Sequence, residues 1–234
     1  DAQGAFEIVG VVPGSYTLEA GWWSEGKEYS VRVPLEVGTS DIDGVNMVLT
    51  PGARIFGRIR VEGDTQVALS NLQVNLPPAD LSSGFGFLEA SVKADGSFLL
   101  PNVSDGEYRV DVWDLPEDCY LKSAGLGGES VLETSLKVSS GQAARSLEIV
   151  LSTAGGRVEG AVTKEGQPFG GAHVVLVPEA SRRDRTRLFK LASTDQYGHF
   201  ILRGIAPGDY KLFAWEELES GAYQDPEFLK RYEE

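Results

Sequence analysis

Apolar and polar residues alternate in short runs along most of the chain, a period-two pattern that is typical of half-buried β-strands. The clearest run covers residues 53–62, whose inward positions are Ile55, Gly57, Ile59 and Val61. Similar runs, separated by turns rich in Gly, Pro and Asp, lie at 72–76, near 86–93, around Phe98 and Leu100, at 106–112, near 130–138 and at 145–151. Seven strands within about 100 residues predict a Greek-key β-sandwich.

A short pattern of glycine and aromatic residues occurs three times with unchanged internal spacing. Each copy has Phe two residues, a second Gly ten residues and Tyr twelve residues after its first Gly. The copies are Gly4, Phe6, Gly14 and Tyr16; Gly96, Phe98, Gly106 and Tyr108; and Gly198, Phe200, Gly208 and Tyr210. Their first glycines are 92 and 102 residues apart (96 − 4 and 198 − 96), which suits separate sandwich domains better than a solenoid. We expect turn glycines, an inward Phe, and a Tyr whose ring packs inward while its hydroxyl bonds the backbone.

Comparison of the copies divides the chain into three modules, which we call the first, middle and third. Residues 1–52 match the C-terminal part of a sandwich, 53–152 a complete sandwich, and 153–234 the N-terminal part of another. The joints between them are only three or four residues long. Such short connections favour a semi-rigid rod over flexible beads.

The end of the chain departs from the strand pattern. Asp225 followed by Pro226 is a typical N-cap and first-turn pair, and it predicts a short helix over Glu227–Glu234. The predicted fold is therefore all-β, with tandem seven-stranded Greek-key sandwiches and a short C-terminal helix in the last repeat.

The first and third modules each carry only part of the sandwich pattern. If residues 1–234 are the entire molecule, their unpaired strand edges would be completed by a neighbouring copy, giving filaments or strand-swapped oligomers. The alternative is a longer parent chain, since the sequence begins with Asp1 in the middle of a repeat and without an initiator Met. The sequence thus predicts a protein partner or self-association through β edges.

Several stretches resemble a known family. The pattern D-x-x-G-x-F-x-I-x-x-V-x-P-G-x-Y-x-L at Asp1–Leu18 returns in similar form at Asp195–Leu212, and G-x-V-x-G-x-V-x-x-x-G-x-P lies at Gly156–Pro168. These patterns resemble carboxypeptidase regulatory-like domains, which are transthyretin-like (prealbumin-like) seven-stranded sandwiches. The stretches at 120–123 and 127–132 resemble the form that occurs in tandem in large exported bacterial proteins.

This resemblance implies a non-catalytic spacer, adhesive or assembly module of an exported protein, located at the cell surface, in the extracellular space or in the periplasm. Related sandwiches occur in surface adhesins, in carbohydrate-active proteins and beside outer-membrane transporters. We therefore predict a structural or interaction protein as the leading interpretation.

Net charge, cysteine content and hydropathy exclude several kinds of partner and of structural support. The net charge of −14 disfavours nucleic acid and anionic membranes, whose phosphates the surface would repel. The single cysteine, Cys119, excludes an intrachain disulfide. No apolar run approaches the length of about 18 residues that a membrane span needs, and no signal peptide lies within this fragment.

Sequence signals for catalysis are weak. His173 and His199 occupy positions that the other copies fill with Gln, Ser or Ala, so we expect surface histidines. No Gly-x-Ser-x-Gly, His-Glu-x-x-His or Walker sequence occurs. A plain turn is favoured over a phosphate loop at Gly125, Gly127 and Gly128. We predict no catalytic residues, no cofactor and hence no enzyme.

Acidic turns are the one candidate for metal binding. Asp41 and Asp43, or Asp195 with neighbouring carbonyls, offer two or three oxygens, where Ca²⁺ takes about six to eight. Asp before Gly is ordinary tight-turn chemistry, so we predict turns and no metal.

Tryptophans support the alternative function, a carbohydrate-binding module that stacks exposed indoles on sugar rings. Trp113 and Trp215 lie five residues after the repeated Tyr, and the first module carries Trp22 and Trp23 instead. The competing interpretation is a rim residue that closes the core or packs at a joint, and recurrence at one repeat position favours it.

One basic cluster stands out in the acidic chain. It consists of Arg182, Arg183, Arg185 and Arg187, interrupted by Asp184. Such a cluster is able to bind a phosphate or an acidic partner, but a solvated loop is the favoured interpretation.

Overall fold

The computed structural model describes residues 4–24, 27–79, 88–139 and 145–233. The strands of the first module are β1 (Gly14–Ser24), β2 (Lys27–Val37) and β3 (Thr50–Pro51). Those of the middle module are β4 (Ala53–Glu62), β5 (Gln73–Leu76), β6 (Leu88–Ser91), β7 (Ser97–Val103), β8 (Gly106–Tyr108), β9 (Asp111–Trp113), β10 (Tyr120–Leu126), β11 (Glu129–Ser130), β12 (Leu136–Val138) and β13 (Arg145–Ser152). Those of the third module are β14 (Gly156–Ala161), β15 (Thr163–Lys164), β16 (Gln167–Pro168), β17 (His173–Pro178), β18 (Lys190–Ser193), β19 (His199–Ile205) and β20 (Tyr210–Trp215), followed by helix α1 (Pro226–Lys230). Single 3₁₀ turns lie at Leu69–Asn71, Ala180–Arg182, Thr186–Leu188 and Ala222–Gln224.

The middle module is a closed sandwich built around strand β4. This strand lies between β7, its antiparallel neighbour, and β13, its parallel neighbour, in a sheet of order β11-β10-β13-β4-β7. Because successive side chains of a strand point to opposite faces, Ile55 and Ile59 are buried and Arg58 is exposed. Residues of the β6-β5-β9 sheet meet this layer in one core, which includes Leu72, Val74, Leu100, Val112, Leu147 and Ile149. The all-β prediction is confirmed.

The strand bounds differ from the predicted ones where the chain changes sheets. The run predicted over 106–112 is two strands, of which β8 pairs with β12 and β9 with β5. The run predicted near 130–138 is likewise divided, into β11 and β12. For the run predicted near 86–93 the structure has β6, and residues 86 and 87 lie outside the described residues.

Strand β10 is not predicted by the alternation. Its pairing with β13 shifts register between Leu121 and Ser123, so that Lys122 and Ser123 are both exposed. Such a bulge adds one residue to the strand and breaks the period of two. The Gly127-Gly128 turn that follows leads directly into β11, as the plain-turn prediction requires.

The third module repeats the opening half of the middle module. Strand β14 pairs with β19, and β17 pairs with β18 and β20. One face of β17 packs on Phe200. The other face, with Val175 and Val177, packs on Phe189 and on Leu229 of α1. The C-terminal helix therefore covers a sheet face that would otherwise be open.

Helix α1 begins at Pro226, one residue before the predicted range, and ends earlier than predicted. The Asp225 carboxylate accepts a hydrogen bond from the N–H of Glu227 at 2.9 Å, which caps the first turn. The helix ends at Lys230 rather than at Glu234, because Arg231 and the residue after it bond carbonyl groups three residues earlier and tighten the last turn. Glu234 lies outside the described residues.

The first module consists of one long hairpin, the two-residue strand β3 that pairs with β2, and irregular chain. Strands β1 and β2 pair from Gly14 opposite Val37 to Ser24 opposite Lys27. Residues 4–13 and 38–49 form no strand. Large apolar side chains of these segments are exposed, among them Phe6, Ile8, Val9, Val12 and Val48.

Candidate functional site

The first glycine of each repeat makes a turn that other residues do not readily adopt. Gly4, Gly96 and Gly198 have φ angles of 84°, 82° and 78°. A Cβ atom on Gly96 would lie 2.5 Å from the carbonyl oxygen of Ile59, and one on Gly198 would lie 2.5 Å from that of Val162. These glycines are therefore required by the backbone of the fold.

Each repeated tyrosine makes the hydrogen bond that the sequence predicts. The hydroxyls of Tyr16, Tyr108 and Tyr210 donate to the carbonyl oxygen four residues earlier at 2.9, 3.0 and 2.9 Å. In the middle module the ring of Tyr108 and that of Phe98 are buried. The inward prediction is wrong for Phe6 and Tyr16, which are 52% and 39% exposed, because no second sheet of the described first module covers them.

Trp215 lies in an aromatic cluster at the end of the third module. Its ring is 5.3 Å from that of Phe213, 5.7 Å from that of Phe228 and 5.4 Å from that of Tyr232, measured between centroids. Two of these rings belong to helix α1 or the turn after it, so the indole attaches the helix to β20. This contact favours the rim-closing interpretation for Trp215.

The other tryptophans belong to different modules. Trp113 and Trp215 occupy equivalent positions in their sheets. Trp113 pairs with Gln73 of β5, and Trp215 pairs with His173 of β17. It is 40% exposed, and Trp22 in β1 is 60% exposed. The side chain of Trp23 lies outside the described part of the structure.

The basic segment at 182–187 packs against the middle module. Arg185 is only 7% exposed, and its guanidinium pairs with the carboxylate of Glu133 and donates to the Glu133 carbonyl oxygen at 3.3 Å. Arg183 forms a two-pronged pair with Glu233 and donates to the carbonyl oxygen of Pro178 at 3.1 Å. The prediction of a solvated loop is therefore wrong, because the loop forms part of the contact between two modules.

Further ion pairs and backbone contacts cross the same joint. Arg109 of the middle module lies 2.6 Å from Asp184, and Arg203 of the third module lies 3.2 Å from Asp118. The N–H of Gly155 donates to the carbonyl oxygen of Asp118 at 3.0 Å, and a Cβ on Gly155 would lie 2.6 Å from that oxygen. An exposed ion pair contributes only about 0.2–1 kcal/mol to stability. The contact between the two modules is therefore stabilised by several ion pairs together with the close approach of the two backbones.

Three ionisable groups are desolvated where the two modules meet. Burial raises the pKa of the Asp111 carboxyl, against the hydrogen bond from the N–H of Val112 and the charge of Arg187. Burial lowers the pKa of Arg187 and that of Lys190, and the charge of Asp111 opposes both shifts. An acid of the middle module thus faces two bases of the third.

The joint between the first and middle modules has a similar close approach. The hydroxyls of Ser30 and Ser104 lie 2.5 Å apart. A Cβ on Gly52 would lie 2.6 Å from the Cα of Asn102, whose φ of 57° matches the 62° of Gly204 at the equivalent place in the third module. Both joints thus place a glycine against a left-handed residue.

The described ranges contain no group of three or more His, Cys, Asp and Glu side chains arranged to hold a metal ion. The Asp195 carboxylate accepts the N–H groups of Tyr197 and His199 at 2.8 and 2.9 Å, which is turn geometry. Cys119 is buried, and burial raises the pKa of its thiol. In the part of the chain that the structure describes, no helix has the length and apolar character to cross a membrane.

Comparison with known proteins gives distant structural neighbours. No protein-family model and no curated protein matches the chain. It is similar to a streptococcal ancillary pilin, with 12% identity and a TM-score of 0.31 over 90% of this chain and 68% of that one. It is also similar to the Bacillus anthracis TIE protein, with 17% identity and a TM-score of 0.30 over 86% of this chain and 39% of that one. At these TM-scores the likeness carries no argument about function, and membership of the carboxypeptidase regulatory-like family stays a prediction.

Proposed function

We propose that the chain is a non-catalytic structural protein of the cell surface, in which tandem β-sandwich modules form a semi-rigid spacer and join another protein chain through open strand edges. The observation that carries the proposal is the joint between the middle and third modules. There the buried Arg185 pairs with Glu133, further ion pairs cross the contact, and Gly155 meets the opposite backbone. Contacts that fix the angle between modules are suited to holding a separation.

Distance measurements between spin labels test the rigidity of this joint. One label is placed at Arg60→Cys in the middle module and the other at Tyr197→Cys in the third, both exposed sites. As the control, Arg60→Cys is combined with Glu89→Cys, so that both labels lie in one module. We expect the two distance distributions to be equally narrow. A distribution several times broader across the joint than within the module would contradict a semi-rigid spacer.

Two features support assembly through strand edges. Strand β14 pairs only with β19, whereas the equivalent β4 has β13 as a second neighbour; among the described residues no strand takes that place beside β14. Residues 45–49 carry the alternation of β13, with Val45, Met47 and Leu49 at the inward positions, yet form no strand. The chain therefore presents an open edge and a segment with the pattern of the strand that would fill it.

Light scattering over a concentration series tests whether a second copy fills this edge. We expect a mass that rises above the monomer and returns to it in the variant Val45→Lys/Met47→Lys. The matched variant Asn46→Lys/Val48→Lys adds the same charge on the opposite face and should assemble as the parent does. A monomeric mass for the parent at all concentrations would rule out self-association.

Carbohydrate binding is the second candidate, and the 60% exposure of Trp22 is the observation that favours it. Binding to a polysaccharide or glycan array that disappears in Trp22→Ala, but not in a variant of exposed Tyr197, would support it. Loss of stability in Trp22→Ala with no saccharide bound by the parent would instead support the spacer alone.

A further inference from the structure

A groove of about 300 Å³ lies between the middle and third modules. Its wall includes Tyr120, Lys122 and Leu132 from the middle module and Arg182, Arg187 and Pro207 from the third. Three of its lining residues are cationic, and Glu133 is the acidic one. The groove is thus locally basic in a chain whose net charge is −14.

The charged groups of the groove differ in how far they are paired. Lys122 lies 2.5 Å from Glu62, and Glu133 is paired with Arg185. Arg182 donates to the carbonyl oxygen of Pro207 at 3.0 Å. Arg187 makes no hydrogen bond or ion pair with any described residue, although the more distant charges of Asp111 and Glu133 act on it.

Arg182 and Arg187 are held near each other despite their like charge. Burial lowers the pKa of Arg187, and the charges of Arg185 and Arg182 lower it further, against the charges of Asp111 and Glu133. The guanidinium of Arg182 lies against Gly208, where a Cβ would displace it from its present position. Arg187 is desolvated and makes no close ion pair with a described residue, an arrangement that is costly for a cation, so a bound anion would relieve both the desolvation and the repulsion.

We propose that this groove binds an oxyanion, namely a carboxylate, sulfate or phosphate group, between the guanidinium groups of Arg182 and Arg187. The planar donors of arginine match two oxygens of such a group. Tyr120, Leu132 and Pro207 provide an apolar wall for the body of a small ligand, and the volume lies within the usual range for small-molecule sites. The net negative charge does not oppose this at close range, because salt screens charges beyond about 8 Å at physiological ionic strength.

Calorimetric titration of the full chain with sodium sulfate, sodium phosphate and sodium glucuronate tests the proposal, with sodium chloride holding the ionic strength constant. We expect saturable binding of at least one of these salts. Arg187→Gln and Arg182→Gln should each raise its Kd by about tenfold or more, as loss of a charged hydrogen bond implies. Arg60→Gln removes an exposed arginine of the middle module and should leave the Kd within twofold.

The source of the oxyanion follows from the ranking of the salts. Tighter binding of glucuronate than of sulfate and phosphate supports an acidic sugar, and the reverse order supports a free inorganic anion. Absence of saturable binding for all three salts would overturn the proposal, and so would an equal loss of binding in Arg60→Gln.

A second readout separates this role from a structural one. Without added anion, Arg187→Gln should unfold at the same temperature as the parent or at a higher one, because an unpaired desolvated charge has been removed. A lower unfolding temperature would identify Arg187 as a structural partner of Asp111 and overturn the assignment. Circular dichroism of Arg182→Gln checks that the second variant is folded.

Discussion

Replacement of Gly57 by Ala should destabilise the middle module, although alanine is ordinarily preferred to glycine in a strand. Gly57 lies in β4 between β7 and β13, opposite Phe98 on one side and Leu147 on the other. A Cβ there would lie 2.5 Å from the carbonyl oxygen of Leu147 and would overlap the ring of Phe98. The ring is able to shift, but the carbonyl belongs to the parallel neighbour strand and is fixed by the sheet.

The magnitude follows from two opposing effects. Forcing an extra methyl group into a packed core costs about 1–3 kcal/mol. Removing glycine from a strand interior contributes about 0.5–1 kcal/mol in the opposite direction. We therefore expect a net loss of about 1–2 kcal/mol in the free energy of unfolding.

The third module supplies the control at the equivalent position. A Cβ on Gly160 would meet only the ring of Phe200, at 3.0 and 3.1 Å, and no backbone oxygen. Gly160→Ala should therefore leave stability within about 1 kcal/mol of the parent. Hydrogen exchange followed by mass spectrometry reports each module separately through the amides of β4 and of β14. Equal effects of the two substitutions, or a stabilising Gly57→Ala, would show that the Leu147 carbonyl oxygen does not restrict residue 57.

Three further predictions concern single interactions. Tyr108→Phe should lower the free energy of unfolding of the middle module by about 1 kcal/mol, measured by urea unfolding, because the hydroxyl hydrogen bond is lost. Tyr16→Phe should lower the stability of the first module by less, because the Tyr16 ring is partly exposed. Glu133→Ala should lower the thermal unfolding temperature of the third module and broaden spin-label distances across the joint, because the buried Arg185 loses its counter-charge at a cost of about 1–3 kcal/mol. Hydrogen bonding to Arg183 lowers the pKa of Glu233 from 4.5 to about 2. The contribution of Glu233 to folding stability is therefore complete above pH 4.5 and is lost as the pH falls towards 2. Hydrogen exchange of the α1 amides, measured as a function of pH, will detect this loss.

Much of the fold is readable from the sequence because its signals are local. Turn glycines such as Gly96, the tyrosine bond of Tyr108 and the Asp225 cap each depend on residues within a few positions. Strand β10 is not predicted from the sequence because its bulge at Lys122 interrupts the alternation of apolar and polar residues. The run at 106–112 reads as one strand because periodicity does not report which sheet each half joins.

The joint between the middle and third modules could not be predicted from local patterns. Arg185 and Glu133 are 52 residues apart in sequence, and nothing near either residue indicates the other. The basic cluster therefore resembles a solvated loop until the modules are placed in contact. Differences between repeat copies were the available signal, since the middle module has no arginine cluster at the corresponding place.

The parallel pairing of β4 with β13 has a mechanical consequence. The chain enters the middle module at the start of β4 and leaves it at the end of β13, and in a parallel pair these points lie at opposite ends. Tension along the chain therefore pulls the two strands past each other along their length. Eight residue pairs, spanning about 26 Å, bear this load together instead of opening one after another. The middle module is thus built to resist stretching along the direction in which the chain continues.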